Sequence, residues 1–436
     1  MKRKGIEKMA KSEELKRKLS AGDFNDSLQY LYSCGENTKK YADRYISVLN
    51  GYENNFGDAE SVSLFSAPGR TEIGGNHTDH QHGCILAGAV NLDVLAAASV
   101  NGENVVRIKS KGYDMDVVDL NDLEIHPEQY DKSISLIRGV LRRFSDMGYE
   151  LKGFNAYTES SVMKGSGVSS SAAFEVLVGT IVNHICADAK ISPVEIAKIG
   201  QYAENVYYDK PSGLLDQMAS SVGAVVAVDF KDNSNPVVKK VDFDLSKYNH
   251  SLCIIDSGAD HADLTNEYAD ITVEMRQVAN YFGKDYLRDV DEKEFMREMK
   301  KVRAAVKNDR AILRAFHYFH DSRKAVMETE LLEKGDFEGF CNLIKKSGQS
   351  SFMYLQNVYA SSMPHNQAVS LTLALCDELL GDRGAYRVHG GGFAGTVQAF
   401  VPNDMLDEFK SGIEAVLGEG MCHVLSIRPV GGYKLA

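Results

Sequence analysis

One segment narrows what this chain can become. Gly165-Ser166-Gly167-Val168-Ser169-Ser170-Ser171-Ala172-Ala173 lies between FNAYTES (154–160), which reads as a strand, and AAFEVLVGTIVNHICA (172–187), which has the apolar density of a buried helix. Small residues let backbone N–H groups approach a ligand closely. The start of a helix adds free N–H groups and the positive end of the helix dipole. Together these predict an anion site, with serine hydroxyls available for phosphate or for Mg²⁺. The plain alternative is a flexible linker before a capped helix, but a linker rarely joins a strand to so apolar a helix. The spacing is not GxxxxGK[ST], and no HRD or DFG follows, so neither a Walker A motif nor a protein-kinase glycine loop is present.

At 436 residues the chain is too long for one ordinary core, so two domains are expected. Strand and helix patterns mix without a regular βαβ repeat, which argues α+β. Residues 1–60 read as a polar helical extension with sparse apolar positions (Leu15, Leu19, Leu28, Leu31, Tyr32). Residues 94–100 and 105–110 read as strands with Asn101-Gly102 as a hairpin signal between them. Domains are expected at 61–245 and 246–436. The formal charge of −12 argues against nucleic acid and anionic lipid as partners. No stretch has the length of a membrane span. Seven irregularly spaced cysteines without CxxC fit reduced thiols in a cytoplasm. A monomer is expected.

A second cluster, Ala67-Pro68-Gly69-Arg70-Thr71-Glu72-Ile73-Gly74-Gly75-Asn76-His77-Thr78-Asp79-His80, packs one Arg, one Asn, two His and two acids into a turn-rich stretch. Such a mixture of donors and acceptors suits a polyhydroxylated ligand. A metal site built from His77, Asp79, His80 and His82 is the rival reading, and a polar surface loop is the plain one. A third signal is Glu204, with Asp216 twelve residues on, separated by Pro211, Ser212 and Gly213. Phosphoryl transfer needs one group for a metal and one for the nucleophile's proton. The fourth is the glycine run 390–392 within Arg387–Thr396, which allows close backbone approach between two strands.

These motifs resemble, in order, those of the GHMP kinases, and most of all the galactokinases. The 69–80 stretch is similar to Gly-Arg-Val-Asn-Leu-Ile-Gly-Glu-His-Thr-Asp-Tyr, with Gly69, Arg70, Gly75, His77, Thr78 and Asp79 identical. Glu72 stands for the pattern's asparagine, Gly74 for its isoleucine, Asn76 for its glutamate and His80 for its tyrosine. Residues 165–173 resemble the second GHMP motif. Gly213, Asp216 and Gln217 match Gly-Ile-Met-Asp-Gln-Phe. Residues 390–395 resemble Gly-Gly-Gly-Phe-Gly-Gly, with Ala394 for one glycine.

The resemblance implies an N-terminal domain like the ribosomal-protein-S5 second domain, a ferredoxin-like C-terminal domain and a cleft between them. It implies transfer of phosphate from ATP to the anomeric hydroxyl of galactose, with Mg²⁺. Asp216 and Arg70 would be catalytic. Asn76, His77, Asp79 and Tyr268 would bind sugar. Gly165, Ser166, Gly167, Val168, Ser169, Ser170, Ser171 and Ala172 would bind ATP, and Glu204 with Ser170 or Ser171 would hold the metal. The alternatives are a kinase for N-acetylgalactosamine or arabinose, and a galactose or ATP sensor without turnover; intact Arg70, Glu204 and Asp216 argue against the last.

Overall fold

A computed structural model of the chain describes residues 11–58, 61–162, 167–210, 212–259, 264–393 and 395–436. The fold is α+β, as expected, and is built on two sheets. The strands are β1 (Ser63–Gly74), β2 (Cys84–Val100), β3 (Val105–Ser110), β4 (Met115–Asp119), β5 (Phe154–Ser160), β6 (Val225–Asp229), β7 (Val237–Val241), β8 (His250–Asp256), β9 (Ala385–His389), β10 (Thr396–Pro402), β11 (Cys422–Leu425) and β12 (Tyr433–Lys434). The helices are α1 (Lys11–Ala21), α2 (Asn25–Tyr32), α3 (Lys39–Phe56), α4 (Ser133–Asp146), α5 (Ser170–Cys186), α6 (Pro193–Tyr202), α7 (Leu215–Val222), α8 (Thr265–Tyr281), α9 (Glu292–Val306), α10 (Asp309–Lys334), α11 (Phe337–Ser350), α12 (Ala368–Leu380) and α13 (Leu406–Leu417).

The first sheet runs β12-β1-β2-β5-β3-β4, with β6 on β2 and β7 on β6. The long β2 serves two neighbours. Residues 84–88 pair with β6 and 94–100 with β5. The expected hairpin between 94–100 and 105–110 does not form, because β5 inserts between them and takes β3 as its one parallel partner. Gly102 still turns the chain at φ +73°, and Asn101 Nδ2 donates to Val105 O and to Asn155 Oδ1, both at 3.0 Å. A turn signal fixes where the chain bends, not which strand lies beside it. The second sheet, β11-β8-β10-β9, is antiparallel throughout.

The pairing of β1 with β2 is interrupted between Pro68 and Arg70 and again between Glu72 and Gly74. Such irregularities re-aim side chains, and here they flank Arg70. Helices α1–α3 are more than a polar extension. Leu28, Leu31, Tyr45, Val48 and Leu49 of these helices form a core with Leu95, Ala97 and Tyr157 of the sheet. Arg44 of α3 also pairs at 2.7 Å with the buried Asp93 of β2. Periodicity under-read this segment because tyrosines supply much of its apolar face. In the later half, α10 packs against both α8 and β2, so it bridges the helical layer and the first sheet.

Candidate active site

The phosphate loop reaches α5 through two residues of positive φ, Gly167 at +68° and Ser169 at +57°. Ser169 is the N-cap of α5, yet its hydroxyl caps no backbone group. It donates instead to Asp216 Oδ2 at 2.6 Å. The first-turn N–H groups of α5 therefore stay available for an anion. Gly165 and Ser166 lie outside the described residues. Val168 and Ala172 are buried, while Ser170 and Ser171 are partly exposed at the helix start.

β1 clamps this loop. Arg70 N–H donates to Val168 O at 3.0 Å, and Arg70 Nη1 donates to Gly167 O. A Cβ on Gly69 would lie 2.7 Å from Val168 O, so only glycine permits the approach. Arg70 Nε then donates to Asp216 Oδ1 at 2.6 Å. Asp216 sits in the first turn of α7. Burial alone would raise its pKa, but the Arg70 guanidinium and the Ser169 hydroxyl outweigh burial and hold it below the usual carboxylate range. Asp216 is thus an ionised acceptor at the mouth of the loop.

Glu204 projects from a π-helical turn, Ala203–Tyr207, which continues α6; such turns recur at functional sites. Its Oε1 accepts from Lys210 Nζ at 2.7 Å and Ser171 Oγ at 3.2 Å. Its Oε2 accepts from Ser212 Oγ at 2.6 Å and Gln217 Nε2 at 2.8 Å. Gln217 Nε2 also reaches Glu175 Oε2 at 2.9 Å. Burial, and then the charge of Glu204, push the Glu175 carboxyl upward from its ordinary value. The sequence reading did not single out Glu175, Lys210 or Ser212. A lone acid in the apolar α5 was the legible sign of Glu175.

The 76–80 loop faces the glycine run from the other sheet. His77, at φ +53°, donates from Nε2 to Gly391 O at 3.0 Å. Burial lowers its pKa to about 4, so the ring is neutral, with Nδ1 as acceptor. Asp79 is pushed up to about 6 by burial and then by the charge of Asp216. A Cβ on Gly213 would lie 1.7 Å from Asp79 Oδ2, which puts that carboxylate against the segment leading to Asp216. Tyr268 donates from its hydroxyl to Gly392 O at 2.9 Å and meets the Phe393 ring edge-on. His80 is lowered to about 3 by burial, and its Nε2 is a buried atom with no partner among the described residues.

Asn76, expected among the sugar contacts, is turned into the protein instead. Its Nδ2 donates to Glu72 Oε1 and Gly390 O, both at 2.7 Å. Its Oδ1 accepts from Asn357 Nδ2 at 2.9 Å and Ser351 Oγ at 3.2 Å. Every amide position is filled, so none is left for a ligand. The rival metal site also fails to converge. The His82 ring stacks on Tyr286 at 3.8 Å, and no group of three or more His, Cys, Asp or Glu suited to a metal occurs among the described residues. Ala394 lies outside them.

A helix start with uncapped N–H groups, an ionised carboxylate clamped by an arginine and an acid–hydroxyl cluster beside it together suit the handling of a phosphoryl group. Residues 50–100 match the galactokinase galactose-binding signature, and residues 135–224 match the GHMP kinases N terminal domain. The galactokinase of Actinobacillus pleuropneumoniae serotype 3 is 28% identical over 368 residues, covering 82% of this chain and 90% of that protein. That of Streptomyces coelicolor is 28% identical over 359 residues, covering 82% and 89%. The crystal structure of Lactococcus lactis galactokinase complexed with galactose superposes with a TM-score of 0.76 at 21% identity, covering 88% of this chain and 98% of that one. The L. major mevalonate kinase in complex with R-mevalonate superposes at 0.57 with 14% identity, covering 86% and 97%. The two matched segments and these relatives ally the chain with the GHMP kinases, which are ATP-using phosphotransferases. Within that class the galactose-binding signature and the similar curated proteins are those of galactokinases. No described helix is long and apolar enough to cross a membrane.

Proposed function

We propose that this protein transfers the γ-phosphoryl group of ATP to the anomeric hydroxyl of galactose. The observation that carries the reading is the Arg70–Asp216 pair, set between the phosphate loop and the loop of the sugar signature. Asp216, kept ionised by Arg70, accepts the proton of the attacking hydroxyl. Arg70 also faces the transferring group and offsets its charge. The free N–H groups of α5 hold the triphosphate. His77 Nδ1, Asp79 and Tyr268 border the sugar, and the unpartnered His80 Nε2 supplies one further acceptor or donor there.

The hard-oxygen set of Glu204, Ser170 and Ser171 suits Mg²⁺, which is commonly held by one carboxylate together with substrate phosphates. The unpaired, buried Glu175 Oε1 and Gln217 Oε1 beside Glu204 leave further acceptor capacity in that corner. Mg²⁺ supplies charge neutralisation on the β- and γ-phosphates. The protein's own part is to aim those oxygens and keep Asp216 ionised.

The test is ATP consumption by folded protein across a panel of free aldoses that includes galactose, N-acetylgalactosamine and arabinose. Galactose 1-phosphate as the preferred product is expected. No turnover with any aldose would sink the reading, and preference for another sugar would reassign the substrate.

A further inference from the structure

The candidate site holds two ion pairs, and each has one buried member and one more exposed member. Arg70 is 8% exposed against 33% for Asp216, and Glu204 is 3% exposed against 54% for Lys210. The more exposed member is thus a carboxylate in one pair and an ammonium in the other. Lys210 is the sole cation paired with Glu204 among the described residues. A buried carboxylate needs such a partner, because an uncompensated buried charge is costly. Here the need is sharpened by Glu175 next door, linked to Glu204 through one Gln217 amide nitrogen.

The chain ties Lys210 to this place. Lys210 N–H donates to Glu204 O at 3.1 Å. Ser212 Oγ lies on Glu204 Oε2, and Ser212 N–H donates to Asn205 Oδ1 at 2.7 Å. Lys210 and Ser212 thus close on one carboxylate from the chain that follows it. Yet the ammonium rides on a flexible four-carbon stem, and the half-exposed end of a pair is readily exchanged. Its charge also acts on Asp216, whose pKa it helps lower.

With all four acceptor positions of Glu204 filled, a divalent ion can reach Oε1 only by displacing a donor. Lys210 is the most exposed of those donors and the only charged one. We propose that Lys210 is a stand-in cation: it holds Glu204 when no metal is bound, and is released into the cleft, toward the terminal phosphate of the nucleotide, when a divalent ion takes that carboxylate. The proposal rests on Glu204 as the metal ligand of the proposed kinase site. It couples metal arrival to delivery of a second positive charge to the phosphoryl group, opposite Arg70.

The experiment measures Mn²⁺ binding to sugar-free, nucleotide-free protein by electron paramagnetic resonance, together with kcat. Lys210→Met removes the competitor, so Mn²⁺ should bind roughly tenfold more tightly, while kcat falls about 10–100-fold. Lys210→Arg keeps a competing cation and should bind Mn²⁺ nearly as wild type does. A merely structural lysine would not tighten metal binding when removed. Unchanged or weaker Mn²⁺ binding by Lys210→Met, or tighter binding with unaltered kcat, overturns the proposal and leaves Glu204 in its role. Wild-type Mn²⁺ affinity in Glu204→Gln instead overturns the metal assignment, and the proposal with it.

Discussion

Asn76 Nδ2 donates to Glu72 Oε1 across 2.7 Å, and these two residues are the asparagine and glutamate of the galactokinase pattern with their places exchanged. The pair survives while its charge moves from the loop into the strand. There Glu72 faces Arg387 at 3.4 Å, and burial pushes its pKa up to about 7. The third departure, Gly74, lies between them. A Cβ at 74 would sit 1.7 Å from Glu328 Oε2. Positions 72, 74 and 76 all meet the later half of the chain, at Arg387, Glu328 and Asn357.

If the exchange works as a unit, the two substitutions must be coupled. Asn76→Glu alone sets two carboxyl groups against each other in the interior, and Glu72→Asn alone strips Arg387 of its acid. Each should cost about 2–4 kcal/mol. The Glu72→Asn/Asn76→Glu double variant should recover at least 1 kcal/mol or so of the summed loss, as contacting residues do. Urea unfolding of the four proteins gives the coupling. Strict additivity would mean the two positions changed independently.

Asp216→Asn removes a charge with little change of shape. Turnover should fall ~10²–10⁴-fold, while ATP binding by calorimetry stays close to wild type. A variant within about tenfold of wild type would take the proton-accepting role away from Asp216.

Glu328 is buried, and neither carboxyl oxygen has a hydrogen-bond partner among the described residues. Burial, and then the nearby Asp321, push its pKa up to about 8 from an ordinary 4.5. Between those values the unfolded chain has lost this proton and the folded chain has kept it. Stability must therefore fall as pH rises through that window. Asp216 and Asp321 are held low, and their contribution is lost only in acid, below the window. Glu328→Gln should match wild type near pH 4.5 and exceed it by roughly 3–5 kcal/mol above pH 8, at about 1.4 kcal/mol per pH unit. Melting temperature against pH for both proteins is the check. Parallel curves would show that Glu328 ionises normally.

Gly213→Ala drives a methyl group into Asp79. KM for the sugar should rise about tenfold or more, with KM for ATP nearly constant. Equal effects on both would place Asp79 away from the sugar.

The phosphate loop, the Glu204–Asp216 spacing and the glycine run were legible because each depends on residue types at fixed local spacings. The orientation of Asn76 was not. A polar residue in a ligand loop reads as a ligand contact, and its four partners come from residues 72, 351, 357 and 390. The placement of β5 between β2 and β3 was hidden for the same reason, since strand order is decided by pairing partners far along the chain. Lys210 was passed over as one more charged residue in a turn; only folding shows that it sits on Glu204.

β12 has a bearing on how this enzyme is made. Tyr433 and Lys434 pair with Ser66 and Phe65, and Leu435 N–H donates to Leu64 O at 2.8 Å. The strand that carries Arg70 is therefore made about 370 residues before its partner, and this stretch of its edge stays open until residues near 434 have left the ribosome. At about 5–20 residues per second that interval is roughly 20–75 s. For that time this stretch of the β1 edge is an open template for extended segments that meet it, until β12 covers it.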